Sequence, residues 1–245
     1  MKRTDFHSTA CRNLGPLPYL YFAFQKRMPY RGPFKLFSKN LDFPVKVRPE
    51  TSDLSVFYQI MIFDEYRCVA GLKSPELIID LGANVGYSSA YFLSRFKNSR
   101  VIAVEPDPSN FRELQNNLLP YRSRAIAVQA AVWPHSEMLL LNHPRQGEEW
   151  GISIRPSENG TVRAITVPEL ISMSGAQRIS LLKIDIEGSE IDLFRSDTTW
   201  LRQVDNIVIE LHGDEARDTF FCKIDKSRFE ISTCDELTVC LSRLI

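Results

Sequence analysis

From Pro75 to the end of the chain, apolar residues follow two alternating patterns. Short, almost continuously apolar runs are separated by longer segments whose apolar residues recur every three or four positions. The runs are typical of strands buried on both faces of a parallel sheet, and the longer segments are typical of covering helices. The predicted strands are Leu77–Ile79, Val101–Val104, Ile126–Val132, Leu181–Ile186, Ile207–Ile209, Phe229–Thr233 and Thr238–Leu244. The pattern therefore predicts an α/β, Rossmann-like fold: a mostly parallel seven-stranded sheet with helices on both faces, ending in an antiparallel pair.

The chain before Pro75 lacks this alternation. Residues 1–50 are rich in proline and aromatic residues and have weak periodicity, which predicts an irregular arm with one helix near Leu20–Arg27. Residues 51–74 are predicted to form a helical lead-in, because residues that cap helices precede apolar residues on one helical face. We therefore divide the chain into this arm and a domain over 51–245, whose core spans 75–212.

A second β-rich stretch interrupts the core at 137–168. Met138–Leu141 and Val162–Val167 have strand-like patterns. Asn159-Gly160 lies between them and is the common two-residue loop of a β-hairpin. The sequence therefore predicts a β-excursion that turns at this dipeptide.

The charge is balanced over the whole chain but not along it. Thirty Lys/Arg and thirty Asp/Glu give a net charge of zero, which offers no indication of a nucleic-acid partner. Residues 1–48 carry a net charge of +8 and residues 49–245 a net charge of −8. A basic arm could contact an anionic substrate, a membrane surface or RNA. The simpler interpretation is that it neutralises its own acidic domain, so we expect no nucleic-acid partner.

The cysteines and the apolar segments indicate where the protein resides. Five cysteines without a CxxC pair are neither a disulfide framework nor a zinc site. Reduced thiols are typical of a cytoplasmic protein. The sequence has no secretory signal and no apolar stretch long enough to span a bilayer. We therefore expect a cytoplasmic protein without a transmembrane segment, of unspecified oligomeric state.

A loop after the first predicted strand carries the main functional signal. In an open α/β sheet, ligands bind beyond the carboxyl ends of the strands, where the segment DLGANVG (80–86) lies. A dinucleotide-binding loop would read GxGxxG, but Asn84 occupies the position of the second glycine. An acidic residue at Asp80 suits the ammonium group of a methionine moiety better than a phosphate. Gly82 and Gly86 let the backbone turn and approach a ligand without a Cβ, so the loop favours such a cofactor.

Glu105 ends the second predicted strand, nineteen residues after Gly86. A carboxylate at this place can accept hydrogen bonds from both hydroxyls of a ribose. NAD and S-adenosylmethionine both contain a ribose, so Glu105 indicates a nucleoside without distinguishing the two. Ala130 and Ala131 lie at the end of the third predicted strand, where small residues can line an adenine, although core packing explains them equally well.

Two acidic residues follow the fourth predicted strand, within KIDIEGSE (183–190). Asp185 and Glu187 lie on one side of an extended segment, and two carboxylates there are costly without a partner or a purpose. They could abstract a proton, bind a divalent metal or keep the reacting centre polar. Alternatively, they stabilise the N-terminus of the next helix. Two carboxylates suit Mg²⁺ but do not define a site, so we assign no metal ligand.

His212 ends the fifth predicted strand and is one of four histidines in the chain. A histidine at the edge of a cleft can act as a general base near neutral pH, although a single histidine is more often structural. We therefore take Asp185, Glu187 and His212 as catalytic candidates.

Together these segments resemble the FkbM family of S-adenosylmethionine-dependent methyltransferases. The resemblance covers about residues 48–212, and its KIDIEGxE segment together with the early TSD is more specific than the shared IDLGAN loop. The matching segments are TSD (51–53), EY (65–66), IIDLGANVGYSS (78–89), VEPDPSNFRELQNN (104–117), AAVW (130–133), LLKIDIEGSE (181–190) and IVIELH (207–212).

The resemblance implies a class I methyltransferase fold whose core at 75–212 binds S-adenosylmethionine through Asp80, Gly82, Asn84, Gly86 and Glu105. It also implies methyl transfer to a hydroxyl of a sugar, polyketide or other small metabolite. Two other classes stay open. One is an NAD-dependent oxidoreductase, which the missing second glycine disfavours. The other is a non-catalytic RNA- or ligand-binding module, which the acidic residues of the cleft disfavour.

Overall fold

The computed structural model describes residues 3–27, 32–142 and 153–243. Within these ranges the α-helices are α1 (Arg3–Leu14), α2 (Pro16–Gln25), α3 (Asp53–Phe57), α4 (Tyr87–Arg95), α5 (Pro108–Leu118), α6 (Val167–Ser174), α7 (Glu190–Arg195) and α8 (Asp214–Lys223). The strands are β1 (Phe34–Leu36), β2 (Val45–Val47), β3 (Leu77–Leu81), β4 (Arg100–Val104), β5 (Ala125–Val128), β6 (Ala131–Val132), β7 (Met138–Asn142), β8 (Ser153–Pro156), β9 (Val162–Ile165), β10 (Leu181–Ile184), β11 (Ile207–Glu210), β12 (Phe229–Cys234) and β13 (Leu237–Ser242). Short π- or 3₁₀-helical turns lie at Tyr58–Ile62, Glu65–Cys68, Leu119–Arg124 and Thr199–Gln203.

In the described part of the chain, the central sheet has seven strands in the order β12-β13-β11-β10-β3-β4-β5. Strands β3, β4, β5, β10 and β11 are parallel, whereas β13 is antiparallel to both of its neighbours. This confirms the predicted Rossmann-like fold and its final antiparallel pair. The predicted end of the last strand, Leu244, lies outside the described residues.

Both faces of the sheet are buried, as the continuous apolar runs require. Alternate strand residues such as Ile78 and Val208 join one apolar cluster, together with side chains of α1 to α5. Their neighbours, such as Ile79 and Ile207, join a second cluster with side chains of α6, α7 and α8. Helix α5 begins as predicted, with Pro108 following an Asp107 side chain that accepts two backbone N–H hydrogen bonds.

The order of the strands determines where a ligand can bind. The chain runs outward from β3 through β4 to β5 and then returns to β10 on the other side of β3. The crossovers therefore leave in opposite directions between β3 and β10, which opens a crevice at their carboxyl ends. The loops that follow these two strands carry the predicted site residues.

The third predicted strand, Ile126–Val132, is wrong as a single element. Its first half is β5, the edge of the central sheet, but its second half is β6, which pairs in parallel with β9. β6 belongs to a four-stranded sheet in the order β6-β9-β7-β8. The chain changes sheets because β9 offers Ala131 and Val132 a backbone partner beyond the end of β5.

The β-excursion is confirmed, but its hairpin is not. The chain turns before Gly160, whose N–H donates to the Ser157 carbonyl over 2.9 Å. Strands β8 and β9, which flank the turn, pair with opposite edges of β7 and not with each other. A Cβ at Gly160 would lie 2.6 Å from the backbone N of Leu139, so this glycine permits a close crossing over β7.

The N-terminal segment is more regular than predicted. It contains α1, α2 and the antiparallel pair β1–β2, so the prediction of an irregular arm is wrong. Leu14, Phe22 and Leu36 are buried in the same cluster as the core helices. The weak periodicity of this segment is explained by its short elements, whose burial depends on contacts with the rest of the chain.

The lead-in over 51–74 is helical but not one continuous helix. After α3 the backbone widens into a π-helical turn over Tyr58–Ile62, which buries Ile60, Met61 and Ile62 in succession. Asp64 then adopts a left-handed conformation with φ 54°, and a 3₁₀ turn follows. The lead-in is therefore helical in short pieces and not over its whole length.

Asp53 of the TSD segment links the lead-in to the preceding strand. Its carboxylate is fully buried and forms an ion pair with the Arg48 guanidinium, with an Oδ1–NH2 distance of 2.7 Å. It also accepts the Arg48 backbone N–H. The role of this segment is therefore structural.

Two further findings in the described residues concern membrane spans and disulfides. No helix within them is long and apolar enough to cross a bilayer. Each of the five cysteines has a free thiol.

Candidate functional site

A cavity of about 300 Å³ opens at the carboxyl ends of the parallel strands. One end, here called the loop end, is formed by Gly82, Asn84, Glu105, Ala130 and Ala131. The other, here called the acidic end, is formed by Asp185, Glu187, Glu210, His212 and Glu65. The structure therefore brings together every predicted site residue except Asp80 and Gly86, which do not line the cavity.

The two glycines of the loop serve packing within the protein. Gly82 has φ 74°, and a Cβ there would lie 1.7 Å from the Asp185 carbonyl oxygen. Gly86, at the start of α4, has φ 85°, and its Cβ would lie 3.3 Å from Leu114. Both positions favour glycine because the backbone is left-handed and crowded. The loop is thereby pressed against the segment that carries Asp185.

Asp80 lies behind the loop. Its carboxylate is fully buried and accepts hydrogen bonds from the hydroxyls of Ser88 and Ser89, each over 2.6 Å. Its Oδ1 atom lies 3.2 Å from Lys183 Nζ. The expectation that Asp80 contacts a cofactor's ammonium group is therefore not met by this geometry, because protein groups surround the carboxylate.

Lys183 connects the two strands at the crevice, a role that the sequence did not reveal. Its ammonium group is buried, donates to the Gly82 carbonyl over 2.7 Å and lies 3.6 Å from Asp185 Oδ2. Burial opposes its charge, but the carboxylates of Asp80 and Asp185 outweigh this effect and raise the pKa of Lys183. A charged lysine thus holds the loop and both carboxylates in place.

Glu105 faces the loop end and is fixed by backbone groups. Its Oε2 accepts the Asn84 N–H over 2.9 Å, and its Oε1 accepts the Asp107 N–H over 3.0 Å. Burial raises the pKa of Glu105 to about 7, although these N–H groups act to lower it. The Asn110 side chain also hydrogen-bonds to this carboxylate. A carboxylate offers about four acceptor sites, so Glu105 can still accept a hydrogen bond from a ligand.

Asn84 is the other polar group of the loop end. Its backbone is left-handed, with φ 49°, which asparagine tolerates better than most residues. Its buried Oδ1 has no hydrogen-bond partner among the described residues. Ala130 and Ala131 are also buried, and they line the cavity as predicted.

His212 is surrounded by carboxylates at the acidic end. Its Nδ1 lies 3.1 Å from Glu190 Oε1, and its Nε2 lies 3.5 Å from Glu187 Oε2 and 3.6 Å from Glu210 Oε1. The hydrogen bond to Glu190 raises the pKa of His212 to about 9, against a smaller opposing effect of burial. The ring is therefore charged at neutral pH in this arrangement, which makes it a poor general base there.

Three further carboxyl groups at this end have raised pKa values. Burial raises the pKa of Glu187 to about 7, and Asp185 adds to this effect. Burial likewise raises the pKa of Glu65 to about 7. The pKa of Glu210 is raised by burial and then by Asp185. The acidic end thus concentrates negative charge, which favours a cationic ligand.

Several residues of the acidic end were not singled out from the sequence. Glu190 is fully buried and accepts the backbone N–H groups of Ile186 and Gly188 as well as facing His212. Glu65 and Tyr66 reach the cavity from the lead-in. Their only signal in the sequence was their presence among the segments that resemble the family.

One potential metal-binding group occurs within the described ranges. Asp185, Glu187 and His212 each offer one ligand atom, and these atoms lie within 4.8 Å of one another. No metal ligand was predicted from the sequence, because two carboxylates alone do not define a site.

Comparisons with known proteins identify the family. The sequence profile of the family described as Methyltransferase FkbM domain matches residues 80–235. Methyltransferase 1 of Beauveria bassiana is 25% identical over 198 residues, covering 69% of this chain and 78% of that protein. The 2-O-methyltransferase NoeI of Sinorhizobium fredii is 25% identical over 194 residues, covering 71% and 76%, respectively.

A solved structure also aligns with the chain. The crystal structure of Methyltransferase FkbM from Methylobacillus flagellatus KT matches with a TM-score of 0.49 and 19% sequence identity. The alignment covers 71% of this chain and 46% of that one, so the chain spans less than half the length of that protein.

Proposed function

Because the chain belongs to the FkbM methyltransferase family, we propose that it transfers the methyl group of S-adenosylmethionine to a hydroxyl oxygen of a small metabolite, such as a sugar or a polyketide. One observation carries the proposal: a single cavity joins Glu105, held by the loop, to the acidic end with Asp185 and His212. The name of the relative NoeI, a 2-O-methyltransferase, supports oxygen as the acceptor.

The loop end is suited to the adenosyl part of the cofactor. Glu105 would accept the ribose hydroxyls with the acceptor capacity that its contacts with Asn84, Asp107 and Asn110 leave free. Ala130 and Ala131 would line the adenine, since their small side chains leave room beside the loop. Asn84 Oδ1, which has no partner among the described residues, would accept a hydrogen bond from the ammonium group of the methionine moiety.

Asp80 then has a positioning role in place of a binding role. Its contacts with Ser88 and Ser89 fix the first turn of α4, and its ion pair with Lys183 ties the loop to β10. Gly82 and Gly86 permit the same packing. The cofactor would therefore meet a loop whose shape is set before binding.

Methyl transfer would be a direct displacement. The acceptor oxygen forms a bond to the methyl carbon as the carbon–sulfur bond breaks, and the sulfur keeps the electron pair. Alignment of the two reactants contributes roughly 7–11 kcal/mol in favourable cases. The acceptor proton must also leave. The raised pKa of His212 makes this ring unsuitable as the base at neutral pH, which leaves the carboxylates of Asp185 and Glu187 as candidates.

Two measurements test this function. Calorimetry with S-adenosylmethionine and with NAD should give binding of the first only, because Asn84 replaces the glycine that a pyrophosphate requires. Incubation with a labelled methyl donor and a metabolite extract should then label a hydroxyl compound, identified by mass spectrometry. Binding of NAD alone would contradict the proposal. A cytoplasmic location and a small-molecule acceptor stay predictions.

A further inference from the structure

We propose that the acidic end of the cavity binds one divalent cation of the Mn²⁺ class through Asp185, Glu187 and His212. One ligand atom from each residue lies within 4.8 Å of the other two, and all three residues line the cavity. The binding of the cation is independent of the proposed function. Its role in methyl transfer, described below, rests on that function.

The orientation of the histidine ring is suited to a metal ligand. Glu190 is fully buried and held by two backbone N–H groups, and its Oε1 lies 3.1 Å from His212 Nδ1. A cation that binds here would displace the Nε2 proton of the charged ring. The proton that stays on Nδ1 is then held by Glu190, and the Nε2 lone pair is directed toward Glu187. A carboxylate that fixes the far nitrogen of a metal-binding histidine is a common arrangement in metal sites.

The separations also fit a shared ion. His212 Nε2 lies 3.5 Å from Glu187 Oε2. Two ligands at about 2.1 Å from one metal are roughly 3.0–3.5 Å apart when their angle is between a right angle and a tetrahedral one. The two atoms therefore lie where a cation could hold both without a large movement of either side chain.

Asp185 provides the third ligand. Its Oδ2 faces Lys183 over 3.6 Å, whereas its Oδ1 is buried and has no hydrogen-bond partner among the described residues. A buried carboxylate oxygen without a partner is costly. A cation at this place would satisfy it.

Tyr66 also lines this cavity, and the residue is only 3% exposed. It is therefore placed near an acceptor that is held beside the cation.

The donor set favours a first-row metal over Mg²⁺. Two carboxylates suit Mg²⁺ or Mn²⁺, but an imidazole ligand is typical of transition metals. Three protein ligands leave further positions for the acceptor. A cation here would lower the pKa of an acceptor hydroxyl beside it. The O–H bond then breaks with release of the proton to solvent water, and the oxygen electron pair forms the bond to the methyl carbon as the carbon–sulfur bond breaks.

Mn²⁺ itself is the probe for this site. Electron paramagnetic resonance of chelator-treated full-length protein should show about one bound Mn²⁺ per chain. The Glu187→Gln and His212→Gln variants should bind it at least 10-fold more weakly. Asp218→Asn is the matched control, because it removes one exposed carboxylate of α8 and should leave Mn²⁺ binding unchanged. Circular dichroism establishes that each variant is folded.

The possible outcomes test the cation site and the role of the cation in methyl transfer separately. Absence of stoichiometric Mn²⁺ binding to the wild-type protein overturns the proposal, as does undiminished binding by both cavity variants. Mn²⁺ binding together with methyl transfer that a chelator does not slow overturns the role of the cation in catalysis. If S-adenosylmethionine does not bind while Mn²⁺ does, the proposed function fails and the cation site stands.

Discussion

At the loop end of the cavity, the carboxylate of Glu105 accepts hydrogen bonds from two backbone N–H groups, whereas at the acidic end several carboxylates share the single imidazole of His212. Backbone groups cannot move without the loop, so the first end has a fixed shape. The acidic end depends on side-chain charges, so its properties change with protons and cations. The difference suggests that the loop end selects the cofactor and that the acidic end controls the chemistry.

The two ends meet at Gly82, and the largest expected effect is there. In Gly82→Ala the new Cβ would lie 1.7 Å from the Asp185 carbonyl, so the loop must separate from the segment after β10. We expect a loss in the free energy of unfolding of about 3 kcal/mol or more. Denaturant unfolding measures it.

Gly175→Ala is the matched control for this change. Gly175 also has a left-handed backbone, with φ 67°, but a Cβ there meets no atom within 4 Å. Its loss should be only about 1–2 kcal/mol, from backbone strain alone. Equal losses for the two variants would show that the loop and Asp185 are not in close contact.

Substitution of Glu105 should separate the roles of the two ends. Loss of two charged hydrogen bonds to ribose costs about 3 kcal/mol, so Glu105→Ala should weaken binding of S-adenosylmethionine roughly 100-fold. Glu187→Gln, at the acidic end, should slow methyl transfer but change this affinity less than about 3-fold. Calorimetry gives both affinities, with the exposed Glu158→Ala as a control. If both substitutions weakened the binding of S-adenosylmethionine to a similar degree, the proposed division of roles between the two ends of the cavity would be wrong.

The sequence predicted those parts of the fold and site that depend on local pattern. Continuous apolar runs give the buried strands, and Asp107-Pro108 gives the start of α5. The location of the site followed from the positions of Glu105 and Asp185 at the carboxyl ends of these strands. The position of a carboxylate along the chain, however, does not reveal which groups surround it in the folded protein.

The role of Asp80 shows why the rest could not be predicted. Its main charge partner, Lys183, is 103 positions away and becomes a neighbour only because β10 pairs with β3. Likewise, the ring of His212, in the loop after β11, is held by Glu190 at the start of α7. Such contacts arise from the pairing of distant elements, and a pattern within one segment carries no information about them.

Above about pH 7, where Glu105 of the loop end contributes little to the pH dependence, the pH dependence of stability should report mainly the acidic end, with the smallest effect of the three. The folded-state pKa of His212 is raised to about 9 from an unfolded value of 6.5. Its contribution to stability is therefore fully present below pH 6.5 and is lost as the pH rises through about 9. After allowance for partial solvent screening, this loss is on the order of 1–2 kcal/mol. Urea unfolding of chelator-treated protein between pH 6.5 and 9.5 measures it.

Glu190→Gln provides the comparison that assigns this effect. The variant keeps the shape of the side chain, but it weakens the hydrogen bond that is the largest cause of the raised pKa of His212 and removes the charge of Glu190. NMR titration of the His212 ring should then give a midpoint lower than about 9, and the decline in stability should move to lower pH by the same amount. The pKa of Glu187, raised to about 7, affects stability mainly below this window, because its protonation changes between the two states from about pH 4.5 to 7. If the His212 midpoint is the same in both proteins, Glu190 does not control the pKa of the ring. The proposed contrast, in which side-chain charges govern the acidic end but not the loop end, would then be wrong.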